Sequence, residues 1–373
     1  MARILSVVWY NILPARFGGQ KGIAEFNDHL SVYHTLYCLC SKNNQSDQLN
    51  YTLLPELPVN RAQVINPLNW LKINQKIREL SISHLILEHC YYGLAGIWAK
   101  RSSSVKLIVH AHNIESTRFR EMGKWWWRLL WILEKQTYRH SDLVLFKTPQ
   151  DREFALSRFG LNANQCLVIP FGLNKTAIPN ASEKEHAVSL IRKKHQINQN
   201  DKILLFTGTL DYLPNANALK LLVEKIIPML SVMTKEPFKV LVCGRIINQE
   251  YHHLLELDHE HYIYAGDVDN PENYLLAADL FLNPVTEGGG IKVKTMEALS
   301  YNLTVISTDH SARGIDPGLT GEKLKVCADN DWPSFCRLIF ESWSEENETP
   351  RAFFEHYSWK QVMKPFLEKI NSL

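Results

Sequence analysis

Along the chain, short uninterrupted apolar runs alternate with longer stretches in which apolar residues recur every three or four positions. The first pattern predicts strands buried on both faces, the second predicts helices, and their alternation predicts βα units with parallel sheets. In the first half, strands are expected near 3–9 (RILSVVW), 84–88, 106–110, 142–146 and 166–169. Helices are expected near 22–40, 70–80, 116–139 and 148–158. Residues 174–200 are polar and charged with no strand pattern, and read as a connection running into a helix. A second alternating set follows, with strands near 203–207, 238–243, 262–264, 279–282, 304–307 and 323–326. Its helices are expected near 216–230, 248–256, 272–278, 291–300 and 331–343, and one or two terminal helices break around Ser358. Two doubly wound, Rossmann-like α/β domains facing a central cleft are the predicted architecture, with ligands at the carboxyl ends of the strands. The expected divisions are 1–175, 176–350 and a C-terminal helix, 351–373, packing back on the N-terminal domain.

Composition narrows this little. A length of 373 residues suits two domains. The 41 Lys and Arg against 39 Asp and Glu give no basic excess, so nucleic acid is not an expected partner. Seven scattered cysteines without a CxxC pair predict reduced thiols and a cytoplasmic protein. The N-terminal apolar run reads as a first strand rather than a secretory signal, and no run is long enough for a membrane span.

The chemistry concentrates in PVTEGGGIKVKTMEAL, residues 284–299. A strand ending at Pro284 and a helix beginning near Ile291 make VTEGGG a strand-to-helix loop at a carboxyl edge. Gly288, Gly289 and Gly290 allow close backbone approach, and the helix start favours a phosphate. Lys292 and Lys294 add full positive charges, and Glu297, three residues past Lys294, suits sugar or ribose hydroxyls. An anion flanked by hydroxyls, as in a nucleotide sugar, matches this set; a glycine-rich loop with solvated lysines is the plain alternative.

The segment EGGGIKVKTMEALSYNLTVIST resembles the donor site of retaining GT-B glycosyltransferases of the group 1/family 4 type, in a Gly-Gly-Gly-x-Lys-x-Lys form. It departs from the usual form in the longer spacing from Glu287 to Glu297 and in Thr304 where proline is usual. The resemblance implies transfer of a sugar from a nucleotide-diphosphate-sugar to an acceptor hydroxyl with retention, without a metal or other cofactor. It implies a place in bacterial surface polysaccharide or glycoconjugate assembly, with a carbohydrate, lipid-linked or protein-linked acceptor. It also implies donor contacts by Gly18 and Gly19 in RFGGQKGIAEFNDHL, Gly172 in IPFGLN, Gly208 in FTGTLDYLPNANALK and Gly244 and Arg245 in VCGR. Glu287, Gly288, Gly289, Gly290, Ile291 and Glu297 complete the donor set, and Lys292 and Lys294 carry its charge. Where many relatives place an Arg and a Lys, Thr209 and Asn215 stand here instead. His112 in VHAHNIESTRF is implied on the acceptor side, positioning a group or relaying a proton.

Other strings carry less. His110 and His112 share a strand face, yet no third metal ligand is expected at a useful spacing. Asp267-Val268-Asp269 and LDHEHY (257–262) read as loops rather than metal sites. The stretch REMGKWWWRLLWILEKQTYRH (120–140) reads either as a packed helix or as a basic, Trp-rich face touching a membrane at the cytoplasmic side. Two rival readings stand beside transfer: a non-catalytic nucleotide-sugar-binding or scaffold protein, and a GT-B-fold epimerase, which needs an acid and base carboxylate pair not evident in the first half.

Overall fold

The computed structural model describes all residues except 16, 17, 47, 247, 248, 250, 251 and 254–258. It divides into two compact units. One takes in Met1–Gly172, Gly289–Ile291 and Tyr357–Leu373, and the other Leu173–Gly288 and Lys292–His356.

The first unit holds a parallel seven-stranded sheet: β1 (Arg3–Val7), β2 (Thr35–Ser41), β3 (Thr52–Leu57), β4 (His84–Glu88), β5 (Lys106–Ala111), β6 (Leu143–Phe146) and β7 (Cys166–Val168). Its order is β3-β2-β1-β4-β5-β6-β7. Alternate side chains feed opposite cores. Leu5, Leu85, Leu87, Leu107 and Val109 pack on one face, while Ile4, Ile86, Ile108 and Leu145 pack on the other. Both faces are covered, which is why these strands read as unbroken apolar runs. The last helix, Trp359–Ile370, supplies Trp359, Val362, Met363, Phe366 and Ile370 to the second of these cores. Its Trp359 indole donates to Glu25 Oε2 at 2.8 Å.

The second unit repeats the plan with six parallel strands: β8 (Lys202–Thr207), β9 (Phe238–Cys243), β10 (Tyr262–Gly266), β11 (Leu280–Asn283), β12 (Thr304–Thr308) and β13 (Leu324–Cys327). Their order is β10-β9-β8-β11-β12-β13. In both units the first strand is central, the next two run outward to one side, and the chain then returns to the other side of the first. The two doubly wound sheets are those expected.

Several expectations are corrected. The helix expected over 22–40 ends at Ser31, and Thr35–Ser41 is strand β2. Only three residues separate the two, so one apolar run spans both. Strand β3 was not expected; it is an edge strand carrying Pro55, which the outer place in the sheet tolerates. The helix expected over 116–139 is two helices, Glu115–Glu121 and Trp127–His140, with Gly123 at φ +68° between them. Ala155–Phe159 is a π-helical last turn ended by Gly160, and Leu222–Ile226 is a π-helical turn within a longer helix. The helix expected over 248–256 falls mostly outside the described residues, as do Leu257 and Asp258 of LDHEHY and Arg16 and Phe17 before Gly18. All seven cysteines are buried and unpaired. Among the described residues no helix is long and apolar enough to cross a membrane.

Candidate active site

In a doubly wound sheet the crevice for a ligand opens where the strand order reverses, beyond the carboxyl ends of the strands. That point lies between β1 and β4 in the first unit and between β8 and β11 in the second. Ionisable side chains gather at both.

In the first unit, β4 and β5 pair in parallel with Glu88 opposite His110. This register brings Glu88 beside both histidines of VHAH. Glu88 Oε2 lies 2.9 Å from His110 Nδ1 and 2.6 Å from His112 Nε2. Glu88 and His110 are buried, and the His112 side chain is 10% exposed. Burial, with His110, His89 and Lys147 nearby, holds the pKa of His112 well below the ordinary histidine value. Burial likewise lowers His110. Glu88 is pushed up to about 8 by burial against the pull of Lys147. Lys147, just past β6, is buried and brought down to about 8 by burial, with Glu88 and Glu25 opposing.

The cluster extends outward. His89 has φ +70°, an uncommon backbone state for a residue with a side chain. Its Nε2 is 3.3 Å from Tyr10 Oη and its Nδ1 is 3.1 Å from Glu115 Oε1. Glu115 also accepts from Tyr91, Asn113 and Arg118. Burial works to raise Glu115, yet the His89 bond and the Arg118 charge hold it at about 2. Below it, Glu134 accepts from the Glu115 and Ser116 amides, the Ser116 hydroxyl and the Tyr138 hydroxyl.

Sequence reasoning singled out His112 but none of these carboxylates. It expected no third ligand-type group beside the histidine pair, and Glu88 is one: the three ligand atoms lie within 4.8 Å of one another. The signal was a charged residue closing the apolar run HLILE, whose neighbour only the register reveals. Lys147 after DLVLF carried the same signal.

In the second unit, Lys294 spans the reversal point. It rises from the helix Val293–Ser300 after β11, and its Nζ donates to Thr207 O at the end of β8 (3.0 Å) and to Asn215 Oδ1 (2.9 Å). The cation lies 4.2 Å from the Phe206 ring centre. Burial, and then the charge of Lys292, lower its pKa well below the usual lysine value. Lys292 caps the same helix and donates to Gly288 O at 2.7 Å. Gly288 has φ +86°, and a Cβ there would sit 2.6 Å from the Tyr212 hydroxyl oxygen. His310, which the sequence did not single out, donates through Nε2 to Gly288 O at 2.5 Å, so two side chains grip this one carbonyl. Asn283 Nδ2 donates to Thr295 Oγ1 at 2.8 Å and pins the helix to β11.

Gly208 and Gly244 follow β8 and β9 and touch, since a Cβ on Gly244 would lie 1.8 Å from Gly208 O. Arg245 accepts at its carbonyl from Leu210 N. Glu287 accepts from Asn217 Nδ2 at 2.5 Å, and half-buried Glu297 lies one turn past Lys294. Gly289, Gly290 and Ile291 group with the first unit. Gly18 and Gly19 open the helix Gly18–Ser31. Gly172 has a packing reason of its own: a Cβ there would stand 2.2 Å from the Trp359 ring. Thr304, where proline is usual in the resembled segment, accepts from the buried Lys323 at 3.3 Å.

Comparison with known proteins adds to this geometry. Residues 27–176 match the family model described as Glycosyltransferase Family 4, and 201–341 match Glycosyl transferases group 1. The chain carries two glycosyltransferase domains on a GT-B fold. A sucrose-phosphate synthase from Thermosynechococcus elongatus is similar with a TM-score of 0.79 at 14% identity, over 100% of this chain and 99% of that one. A glycosyltransferase from Rickettsia africae gives 0.71 at 14% identity over 99% and 97% of the two chains. Anabaena HepE, solved with UDP and glucose, gives 0.74 at 13% over 100% of each. Among curated proteins none matches the chain by sequence. The group 1 match takes in both strands that flank the second unit's reversal point, β8 and β11, and the Family 4 match takes in β4 and β5 with Glu88, His110 and His112.

Proposed function

We propose that this glycosyltransferase moves a sugar from a nucleoside-diphosphate sugar to an acceptor hydroxyl, with retention at the anomeric carbon and without a metal. The observation that carries the reading is Lys294: a partly enclosed ammonium at the reversal point of the second unit, bonded to two neutral oxygens with a second lysine beside it. A diphosphate is the anion that such a pair suits. The start of the helix Val293–Ser300 adds a partial positive charge, and Glu297 is placed one turn on for ribose hydroxyls. As the donor bond breaks, negative charge gathers on the leaving phosphate. Each preorganised donor to that charge is worth about 3–4 kcal/mol of barrier.

In the first unit, His112 and the Gly18/Gly19 helix start serve the acceptor side in this reading. UDP-glucose is the first donor to assay, because HepE is solved in complex with it. A role in surface polysaccharide or glycoconjugate assembly with a lipid-linked acceptor draws support from the outer row Trp125, Leu129 and Ile132, which are 82%, 64% and 53% exposed. Exposed Lys124 and Arg128 flank that row, as a face resting on anionic lipid at the cytoplasmic side requires.

The test is binding of UDP, GDP, ADP, CMP and dTDP and their sugar conjugates by calorimetry, with EDTA present, to wild type and Lys294→Met. One nucleotide bound by wild type and weakened about 10- to 150-fold in the variant is expected, the range for losing one charge-assisted bond of about 1.5–3 kcal/mol. Equal affinity in both would remove Lys294 from the donor site. Donor binding without turnover on any glycan acceptor would make the chain a nucleotide-sugar-binding protein instead.

A further inference from the structure

Glu88 has no part in the function proposed above, yet it is a fully enclosed carboxylate in direct contact with His112. Its Oε2 lies between two ring nitrogens, His112 Nε2 at 2.6 Å and His110 Nδ1 at 2.9 Å. A neutral imidazole has one N–H, and whichever nitrogen holds it is set by the bond that nitrogen makes. His110 shows the consequence already. Its Nδ1 faces Glu88, and its buried Nε2 has no hydrogen-bond partner among the described residues. With Glu88 ionised, that is the arrangement of a ring whose single proton goes to the carboxylate. His112 is the mirror case: Nε2 faces Glu88, and Nδ1 makes no hydrogen bond among the described residues.

Lys147 supplies the matching charge. Its ammonium is buried, has no hydrogen-bond partner among the described residues, and attracts Glu88 through space. Tyr10, His89 and Glu115 complete the ionisable surroundings.

We propose that Glu88 is a positioning residue, which takes the Nε2–H of His112 and so leaves the Nδ1 lone pair to accept from a sugar hydroxyl. The pairing with Glu88 stands by itself; the sugar hydroxyl rests on the acceptor-side reading of His112 above. Such a carboxylate orients the ring as a supporting carboxylate orients a metal-bound or catalytic histidine, and its loss commonly costs about 10- to 100-fold in activity.

The test begins on the ligand-free wild-type protein, where no variant has to fold. Histidine-labelled 15N–1H correlation spectra at pH 9, above the Glu88 value of about 8, report the tautomer of each ring. His112→Gln assigns the signal. An Nε2–H tautomer for His112 is expected in wild type, with both tautomers present in Glu88→Gln. An Nδ1–H tautomer in wild type, or an unchanged spectrum in Glu88→Gln, overturns the proposal whatever the substrate proves to be. With the donor in hand, Glu88→Gln should lower kcat about 10- to 100-fold with little change in KM, and Glu88→Asp should recover part of it. A rise in KM alone, with kcat unchanged, would speak against positioning. Stoichiometric zinc in the purified protein, with activity lost to EDTA and restored by zinc, would make Glu88, His110 and His112 a metal site and would also overturn it.

Discussion

The two units set opposite chemistry on the same frame. Each sheet reverses its strand order beside its central first strand, and each gathers ionisable groups beyond the strand ends there. In the first unit the carboxylates are internally answered: Glu88 faces two imidazoles, Glu115 faces Arg118 and His89, and Glu134 has four donors. In the second, Lys294 rests on a backbone carbonyl and an amide oxygen, neither of which carries charge. A network whose members satisfy one another holds a geometry. A cation left on neutral oxygens holds a place for an anion. The difference teaches that topology fixes where a site lies and that side-chain pairing decides what it receives.

The largest effect that tests this contrast is on stability. Glu134→Ala would leave the Glu115 and Ser116 amides and two hydroxyls without their acceptor inside the first unit. Each orphaned buried donor costs about 1–3 kcal/mol, so a loss of about 3 kcal/mol or more is expected by urea unfolding. Lys294→Met in the second unit keeps the stem and removes a charge that burial disfavours. Its cost should stay within about 1 kcal/mol, since the lost bonds are offset by the relieved desolvation. Similar losses in both variants would dissolve the distinction between an internally paired and an open site.

How much of this was legible in the sequence follows the range of the interactions. The fold class was readable, because strands buried on both faces must be apolar at every position and helices between them must show a stripe. Strand β2 was missed since its TLYCLCS run abuts a helix, and β3 since Pro55 breaks the pattern that an edge strand does not need. Lys292 and Lys294 were legible because the glycines and the helix that place them are local in sequence. Glu88 was not, because its partner His110 is opposite it only through the β4–β5 register, 22 residues away in the chain. His310 was missed for the same reason, its contact with Gly288 crossing 22 residues.

A smaller effect separates two glycines of similar expectation, one in each unit. Gly172→Ala places a methyl 2.2 Å from the Trp359 ring, which is held by Glu25 and cannot easily retreat. Overpacking of this kind costs about 1–3 kcal/mol. Trp359→Leu on the same background should recover part of it, while nucleotide affinity stays at the wild-type value. Gly288→Ala should cost about 1–2 kcal/mol through its left-handed backbone. Its nucleotide affinity should fall as well, because the loop carbonyl held by Lys292 and His310 shifts. Weakened nucleotide binding in Gly172→Ala would support the donor contact expected of that glycine beside its packing role.

The smallest effect is in the pH dependence, and there the two units should differ in sign. Burial pushes Glu134 up to about 7 against its hydrogen bonds. A carboxyl with a raised folded pKa binds its proton more tightly in the native state, so its contribution is complete below the unfolded value of about 4.5 and is lost as pH rises towards 7. The advantage of wild type over Glu134→Gln in Tm should therefore shrink between pH 4.5 and 7. Lys294 runs the other way. Its lowered pKa means that the native state holds the proton less tightly than the unfolded chain, so stability rises with pH between the folded value and the ordinary lysine value near 10.5. Any penalty of wild type relative to Lys294→Met should accordingly fade as pH is raised towards 10. Parallel slopes for the two pairs would mean that Lys294 carries its charge as easily in the folded protein as Glu134 carries its proton. The second site would then be as well answered from within as the first.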